Sequence, residues 1–478
     1  MLFRSAPPAA GTEPTAVETP AQPADPGKTS GPGVDPKTGQ KYLYKTDTYM
    51  VLSENPTVIQ AIPKKPTSEQ LEKCRKDLEA VSTIKDKMTN EEIIVLSADT
   101  GIRIINKDMF FDHLRVWRIS LDQFIDSVSD ITQNGNCILL SGEPTDSDRS
   151  LLFMDSKGNI VNKILMRTMN VLKVGTKIYD TFTYSEGGHG AIIAHSERKN
   201  PNEIESAERC SLSFYNERGE RVWKSTDFDL PSNAEKVALS YGGETIAFLE
   251  GNPKWFDIEF YGGNLNINKI HFFSNDGRRV LEINGFRNIS RGELSANGKY
   301  YAGVFWWQDE MDVFGYIFYV DIFNAKIMWQ LPIIPGYFNA SSVSSPWQYD
   351  LKISEKGTYV AVVFRPDPND IKSNKIFVFN IDGKLLSSYR HSIIYGAYEH
   401  GLILADETLD VIRKRIIEKY IYFDRDGGQL WERYMHMRDI SDRSLSKISA
   451  DGQYDKTIYY NRNNCEVEVC KIGIGGKQ

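Results

Sequence analysis

Along most of this chain, apolar and polar positions alternate with a period of two, in short runs broken by glycine-containing turns. That is the pattern of half-buried β-strands. One hairpin recurs with the same plan: IYFDRDGGQLWERY at 421–434, IFVFNIDGKLLSSY at 376–389, IFYVDIFNAKIMWQL at 317–331, IHFFSNDGRRVLEI at 270–283, LSFYNERGERVWKS at 212–225 and LLFMDSKGNIVNKI at 151–164. A second element recurs between these copies. A strand ends in Ser or Thr, a polar-Gly turn follows, and an aromatic or β-branched strand leaves it. Its turn glycines are Gly135, Gly188, Gly243, Gly298, Gly357, Gly401 and Gly452, spaced 53, 55, 55, 59, 44 and 51 residues apart.

A period near 50 residues in four-stranded units is the mark of a β-propeller, because one blade cannot cover both of its faces and stacked blades cover each other. The pattern therefore predicts an all-β, seven-bladed β-propeller of four-stranded blades over 91–478. The last repeat lacks a fourth strand, and EIIVLSADTGIRIIN at 92–106 reads as a hairpin without a blade. Pairing 92–106 with 465–472 closes the ring and removes open edges. Trp223, Trp329 and Trp431 each stand four residues after an outer-turn position (Gly219, Ala325, Gly427), where a flat side chain wedges between blades. Leu281 and Ser387 hold that place elsewhere.

Two segments precede the repeats. Residues 1–40 are rich in Pro, Ala, Thr and Gly and predict a disordered tether. Over 41–90 the pattern changes period. Residues 67–88 carry Leu71, Cys74, Leu78, Val81, Ile84 and Met88 at three-and-four spacing, and Thr67 with Gln70 forms a capping box. An amphipathic helix over 67–88 that docks on the rest of the protein follows.

The repeats resemble those of the quinoprotein-like and WD40-like β-propeller families. IYFDRDGGQLW is similar to the quinoprotein-like repeat, with its aspartate, turn glycine and tryptophan after a short apolar strand. The resemblance spans 92–472 and implies the fold and a binding or scaffolding role. The Trp-Asp dipeptide of WD40 repeats is absent and Gly-His occurs once, at Gly188-His189; the adjacent cysteines of quinone-dependent dehydrogenases are also absent.

Composition narrows the function. The 478 residues carry a net charge of −7, which argues against nucleic acid as partner. Five scattered cysteines make no disulfide framework and no Cys-x-x-Cys pair. No apolar run reaches the roughly 20 residues of a membrane helix. The tether suits either a protein held at a membrane by an anchor preceding residue 1, outside the cytoplasm in preference to inside, or an ordinary flexible terminus. No serine-hydrolase elbow, Walker A or dinucleotide fingerprint occurs, so no catalytic residue, cofactor or metal is assigned. His189 and His195 and the acidic stretches 143–149 and 365–370 read as surface or packing features.

The connections are asymmetric. Turns on one face of the disc are tight and those on the other are long, and binding tends to sit on long loops held by a rigid scaffold. Three consecutive long connections are aromatic and acidic together: PKWFDIEFYGG at 253–263, WWQDEMDVFGY at 306–316 and LPIIPGYFNASSVSSPW at 331–347. They make Trp255, Phe256, Asp257, Glu259, Trp306, Trp307, Asp309, Glu310, Tyr337 and Phe338 the candidate binding residues. That composition suits a basic protein or peptide, or a sugar. Trp255, Phe256, Trp306 and Trp307 would instead be core if the strands ran on through the loops. The expected role is a non-catalytic interaction or scaffold module. The alternative is an enzyme or carbohydrate-binding protein using the central funnel.

Overall fold

The computed structural model describes residues 31–54, 56–62, 64–80, 83–84, 113–121, 125–129, 132, 136–142, 148–155, 159–167, 177–185, 187–198, 209–229, 237–251, 267–286, 289–309, 312–332, 351–364, 375–390, 393–398, 401–410, 415–424, 429–439, 444–448, 454–460 and 465–472. Strands dominate, and one helix, α1 (Ser68–Ala80), is described. In chain order the strands of the repeats form sheet 1 (125–167), sheet 2 (177–229), sheet 3 (237–284), sheet 4 (289–332), sheet 5 (351–389), sheet 6 (393–439) and sheet 7 (444–472). Each is an antiparallel meander, and together they have a β-propeller arrangement. From sheet 2 to sheet 6 the inner strands of neighbouring sheets touch, and Ile125–Val128 of sheet 1 meets Tyr454–Tyr460 of sheet 7.

Sheets 1, 2, 4 and 6 are four-stranded blades complete in themselves. The expected seven such blades are thus corrected to four, because the chain before the repeats is built into the other three. In sheet 3, Thr57–Ala61 pairs parallel to the outer strand Arg279–Asn284, with Leu281 opposite Thr57, and brings the hairpin Tyr49–Glu54 with it. In sheet 5, Thr83–Ile84 pairs parallel to the outer strand Leu385–Tyr389. Sheet 7 has three strands of its own, and His113–Leu121 supplies the fourth, antiparallel to Cys465–Ile472 from Ile472↔His113 to Cys465↔Leu121. An N-terminal strand therefore closes the last sheet as the strand deficit requires. The strand is 113–121; the expected one, 92–106, lies outside the described residues.

The core lies between sheets. Ile138, Leu151 and Phe153 of sheet 1 pack on Ala191 and Ile193 of sheet 2. Ile192, Leu212 and Phe214 then meet Ile246, Phe248 and Phe273 of sheet 3. Comparable clusters join sheets 3 and 4, 4 and 5, and 5 and 6. Each blade sequence is apolar on both faces for this reason, unlike a sheet with one wet side.

The Ser-turn-Gly element closes the inner turns. Ser185, Ser240, Ser295 and Ser354 are buried, and each hydroxyl accepts the backbone N–H five residues on, at 3.0–3.2 Å. The turn glycine that follows has positive φ, as at Gly188 (76°) and Gly357 (76°), where a side chain would be strained. Backbone bonds stitch these turns together: Gly187 N–H reaches Tyr241 O at 3.2 Å, and Asn297 N–H reaches Glu355 O at 3.0 Å.

The outer turns use a larger device. Trp223 Nε1–H donates to Asn275 O and Trp329 Nε1–H to Ile381 O, each at 2.9 Å and each in the next sheet's outer turn. Their rings stack on Phe214 and Tyr319 within their own sheets. In sheet 1, Asn162 holds the equivalent position and its Nδ2–H donates to Gly219 O at 2.8 Å.

Helix α1 starts at the expected capping box. Thr67 N–H donates to Gln70 Oε1 at 2.9 Å and Gln70 N–H to Thr67 Oγ1 at 3.1 Å, a reciprocal pair that stabilises the first turn by about 1 kcal/mol. It stops at Ala80, short of the expected residue 88. The following Val81–Ile84 run is rich in β-branched side chains, and Thr83–Ile84 finds the free edge of sheet 5. Cys74 and Leu78 are buried on sheet 4 among Ile317, Tyr319 and Trp329. The segment 49–84 is therefore a strap: a hairpin on sheet 3, a helix across sheet 4 and a strand on sheet 5. Of the expected tether, residues 1–30 lie outside the described residues. Gly33–Val34 pairs with Lys41–Tyr42 around a turn in which Asp35 accepts the N–H groups of Lys37 and Thr38 and pairs with Lys45 Nζ at 2.6 Å.

Candidate functional site

The middle strands of sheet 4, Tyr300–Asp309 and Asp312–Asp321, run longer than their neighbours. The inner strand reaches only Phe305, through Ile289, and the outer strand only Tyr316, through Pro332. Beyond those rungs the two strands continue, paired among the described residues with each other alone: Trp306↔Gly315, Trp307↔Phe314, Gln308↔Val313 and Asp309↔Asp312. Of the two expectations for 306–314, an exposed loop and strands that run on, the loop is corrected here to a two-stranded arm, and the lengthened strands are found. The runs WWQD and DVFG carry aromatic and β-branched residues on both strands, so the ladder persists past the sheet that supports it. The connection expected over 405–418 is likewise strand up to Asp410 and again from Arg415.

Trp306, Trp307 and Asp309 thus share one arm, with Asp309 beside its tip. Trp255, Phe256, Asp257, Glu259, Glu310, Tyr337 and Phe338 lie outside the described residues. Their connections leave the second strand of sheet 3 after Gly251, the tip of the arm, and the outer strand of sheet 4 after Pro332.

A cavity of about 540 Å³ lies at the base of the arm. Tyr316, the first residue below the arm, lines it, and its hydroxyl donates to Lys64 O at 2.7 Å. The strap forms the other wall through Asp47, Lys64, Lys65, Lys73, Cys74 and Asp77, and Gln330–Pro332 close the floor. Both charge signs are present, and the carbon surface comes from Ile62, Leu331 and Pro332. Burial pushes the Cys74 thiol up to about 11, with the Asp77 carboxylate adding to the shift, so it is an inert thiol at neutral pH. Burial also raises the Tyr316 phenol to about 12, which keeps it a neutral donor.

A second polar cluster escapes sequence reasoning. In sheet 3, His271 Nε2 meets Glu250 Oε2 at 2.6 Å, and its Nδ1 lies 3.4 Å from Glu282 Oε2. His271 is buried, between the rings of Phe248 and Phe273. Lys269 reaches Glu250 at 3.5 Å and Arg279 reaches Glu282 at 2.8 Å. Burial alone would lower the imidazole pKa, but the carboxylates of Glu250 and Glu282 outweigh it and hold it above the ordinary value. The hydrogen bond from His271, helped by Asn284 and Arg279, holds Glu282 down at about 2 against its own burial. The legible signal was positional: His271 and Glu282 are direct partners across the repeated hairpin. Three strands are tied by these charges, which is a structural clamp; no nucleophile accompanies it.

Among the described residues no group of three His, Cys, Asp or Glu side chains is arranged to hold a metal ion. His189 is half-buried, with its backbone N–H on Ser185 Oγ, and His195 pairs across the sheet with Asp180 and Ser211. The acidic stretch 365–370 lies outside the described residues.

No family model matches this chain, and no curated protein does. Among solved structures it is similar to hydrazine synthase from Kuenenia stuttgartiensis, with 12% identity over 73% of this chain and 95% of that one, at a TM-score of 0.39. It is also similar to prolyl oligopeptidase B from Galerina marginata, with 9% identity over 72% of this chain and a TM-score of 0.40; the match spans 47% of that chain. A third is the β-propeller domain of the Trilobed protease from Pyrococcus furiosus, with 11% identity over 60% of this chain and 80% of that one, at a TM-score of 0.36. At such identities none of their activities transfers to this chain.

Proposed function

We propose that this chain is a non-catalytic propeller that binds a protein or peptide partner of basic character through the face bearing its longer connections. In this reading the composite sheets 3, 5 and 7 complete the ring begun by the four self-contained blades, and the ring is a rigid mount. The observation that carries the reading is the arm of sheet 4. A two-stranded ribbon that outruns its sheet adds nothing to that sheet's ladder, yet it holds Trp306, Trp307, Phe314, Asp309 and Asp312 in register. Aromatic residues rimmed by carboxylates suit a basic, partly apolar surface. The connections holding Trp255, Phe256, Asp257, Glu259, Glu310, Tyr337 and Phe338 adjoin this arm in the chain and extend the same chemistry.

The test is the double substitution Trp306→Ala, Trp307→Ala. With wild-type protein used to capture the partner, the variant is expected to bind it roughly 30-fold more weakly, the loss of about 2 kcal/mol that a hot spot carries. Added salt should slow association, because rim carboxylates act mainly on encounter. Circular dichroism should be unchanged. A folded variant that binds normally moves the site away from the arm and favours an enzyme or carbohydrate-binding role in the central funnel. A variant that unfolds makes these tryptophans core residues.

A further inference from the structure

The outer strand of sheet 1, Ile160–Arg167, is an edge strand with no neighbour beyond it among the described residues. Edge strands of this kind are usually blunted by charge or by cover. This one exposes Ile160 (46%), Val161 (50%) and Leu165 (57%), three of the seven large apolar side chains exposed among the described residues. Its two faces differ. Asn162, Ile164 and Met166 turn toward sheet 2, through Asn162 on Gly219 and through packing near Ala191 and Ile193. Val161, Lys163 and Leu165 stand on the opposite face, all exposed.

The molecule already shows what such an edge can take. The outer strands of sheets 3 and 5 each accept an extended segment in parallel pairing, Leu281↔Thr57 through Asn284↔Gln60 and Ser388↔Thr83 with Tyr389↔Ile84. Both of those segments belong to the strap and are already engaged. The edge of sheet 1 has the same place in the repeat.

We propose that Ile160–Arg167 is a docking edge for an extended segment of another protein, added as a strand in parallel pairing. Its side-chain pattern is set by the row Val161, Lys163, Leu165: an acidic residue flanked two positions away on each side by β-branched or other apolar residues. The acid pairs with Lys163 across the new rung, and the apolar residues cover Val161 and Leu165. A second copy of this chain is disfavoured by the same row. Antiparallel self-pairing that sets Val161 against Leu165 sets Lys163 against Lys163, and like charges directly opposite are destabilising. This edge is separate from the arm of sheet 4.

The test uses the full chain with two synthetic peptides, TVTETVT and its lysine-centred counterpart TVTKTVT. The acidic peptide should slow hydrogen exchange at the outward amides of residues 160–167 and bind about tenfold more tightly than the basic one. Lys163→Glu, at an exposed position, should reverse that preference without altering the circular dichroism spectrum. The proposal is overturned if neither peptide slows exchange there, or if Lys163→Glu leaves the preference as it was. It also falls if sedimentation shows a dimer that Leu165→Lys dissociates, since the second copy is then the occupant.

Discussion

Sheets 3 and 5 are written in the same repeat as sheets 2 and 4, yet their outer edges end differently. At the fourth position after the outer turn, sheets 2 and 4 carry Trp223 and Trp329, which reach the next sheet's turn. Sheets 3 and 5 carry Leu281 and Ser387 there, both buried. Those two sheets are also the ones to which strap strands are added. The difference teaches that the same gap is filled in two ways: by a large side chain from the repeat itself, or by backbone brought from outside it. A local wedge needs only its neighbour. A strap depends on a segment far away in sequence, and makes sheets 3 to 5 one unit.

Removing the strap should therefore have the largest effect. Tyr49, Val51, Ile59, Cys74 and Leu78 are all at most 6% exposed, and they bury Ile283, Leu281 and Ile317 in turn. Each such side chain contributes about 1.5–3 kcal/mol by burial, so their sum rivals a whole domain's stability of about 5–15 kcal/mol. Deleting residues 31–84 is expected to abolish the cooperative thermal transition of sheets 3 to 5 seen by circular dichroism. Ile59→Ala alone should cost about 2–5 kcal/mol in a denaturant titration. A deletion that melts like the full chain would make the strap an ornament and erase the contrast with the wedge.

The wedges come next. Trp329 stacks on Tyr319 at 5.4 Å with its ring 7° from parallel, tilts against Phe379 of the next sheet, and bonds Ile381 O. A Cβ at Gly383, where φ is 77°, would stand 2.9 Å from the indole, so the next sheet's turn is shaped to receive it. Asn162 has no ring in the same position; it donates to Gly219 O across the sheets and accepts from Lys163 N–H within its own strand. Trp329→Ala should cost about 3 kcal/mol, and Asn162→Ala about 1 kcal/mol. Equal losses, measured by urea denaturation, would mean that the bond matters and the ring does not.

These comparisons also mark what could be read from the chain alone. The repeat, the Ser-turn-Gly element, the wedge tryptophans and the capping box are local features, and each has a local physical cause: period-two patterning, a hydroxyl that closes a turn, a positive φ, a reciprocal cap. The need for a strand to complete sheet 7 was legible as a deficit. Which strand meets it was not, because 92–106 and 113–121 are both apolar and alternating, and pairing between distant segments leaves no mark in either. The strap was illegible for the same reason, although the interruption of the tryptophan series at Leu281 and Ser387 was a visible sign of it. Loop and lengthened strand both stayed open for the arm, because its aromatic and acidic residues fit an exposed connection as well as an extended strand. The His271 cluster stayed hidden because Glu250 and Glu282 lie on two other strands, and only the register brings them to one imidazole.

That cluster gives sheet 3 a pH response of its own. His271 has its pKa raised above 6.5 in the folded state. Its stabilising contribution is therefore complete below about pH 6.5, and is lost as pH rises through the folded value. Glu282 is lowered from 4.5 to about 2. Its contribution is complete above about pH 4.5, and is lost as pH falls toward about 2. Sheet 3 should accordingly be most stable between about pH 4.5 and 6.5. Lys269 and Arg279 flank the same carboxylates. Hydrogen exchange at the amides of Ile270–Phe273 should quicken on both sides of the window, relative to amides of Phe318–Val320 in sheet 4. His271→Gln keeps a polar side chain between the two carboxylates but cannot take up a proton, so the alkaline rise should vanish while the acid limb persists in weaker form. If wild-type exchange in sheet 3 follows sheet 4 across the whole range, the cluster does not titrate with folding, and the two sheets differ only in how their outer edges are filled.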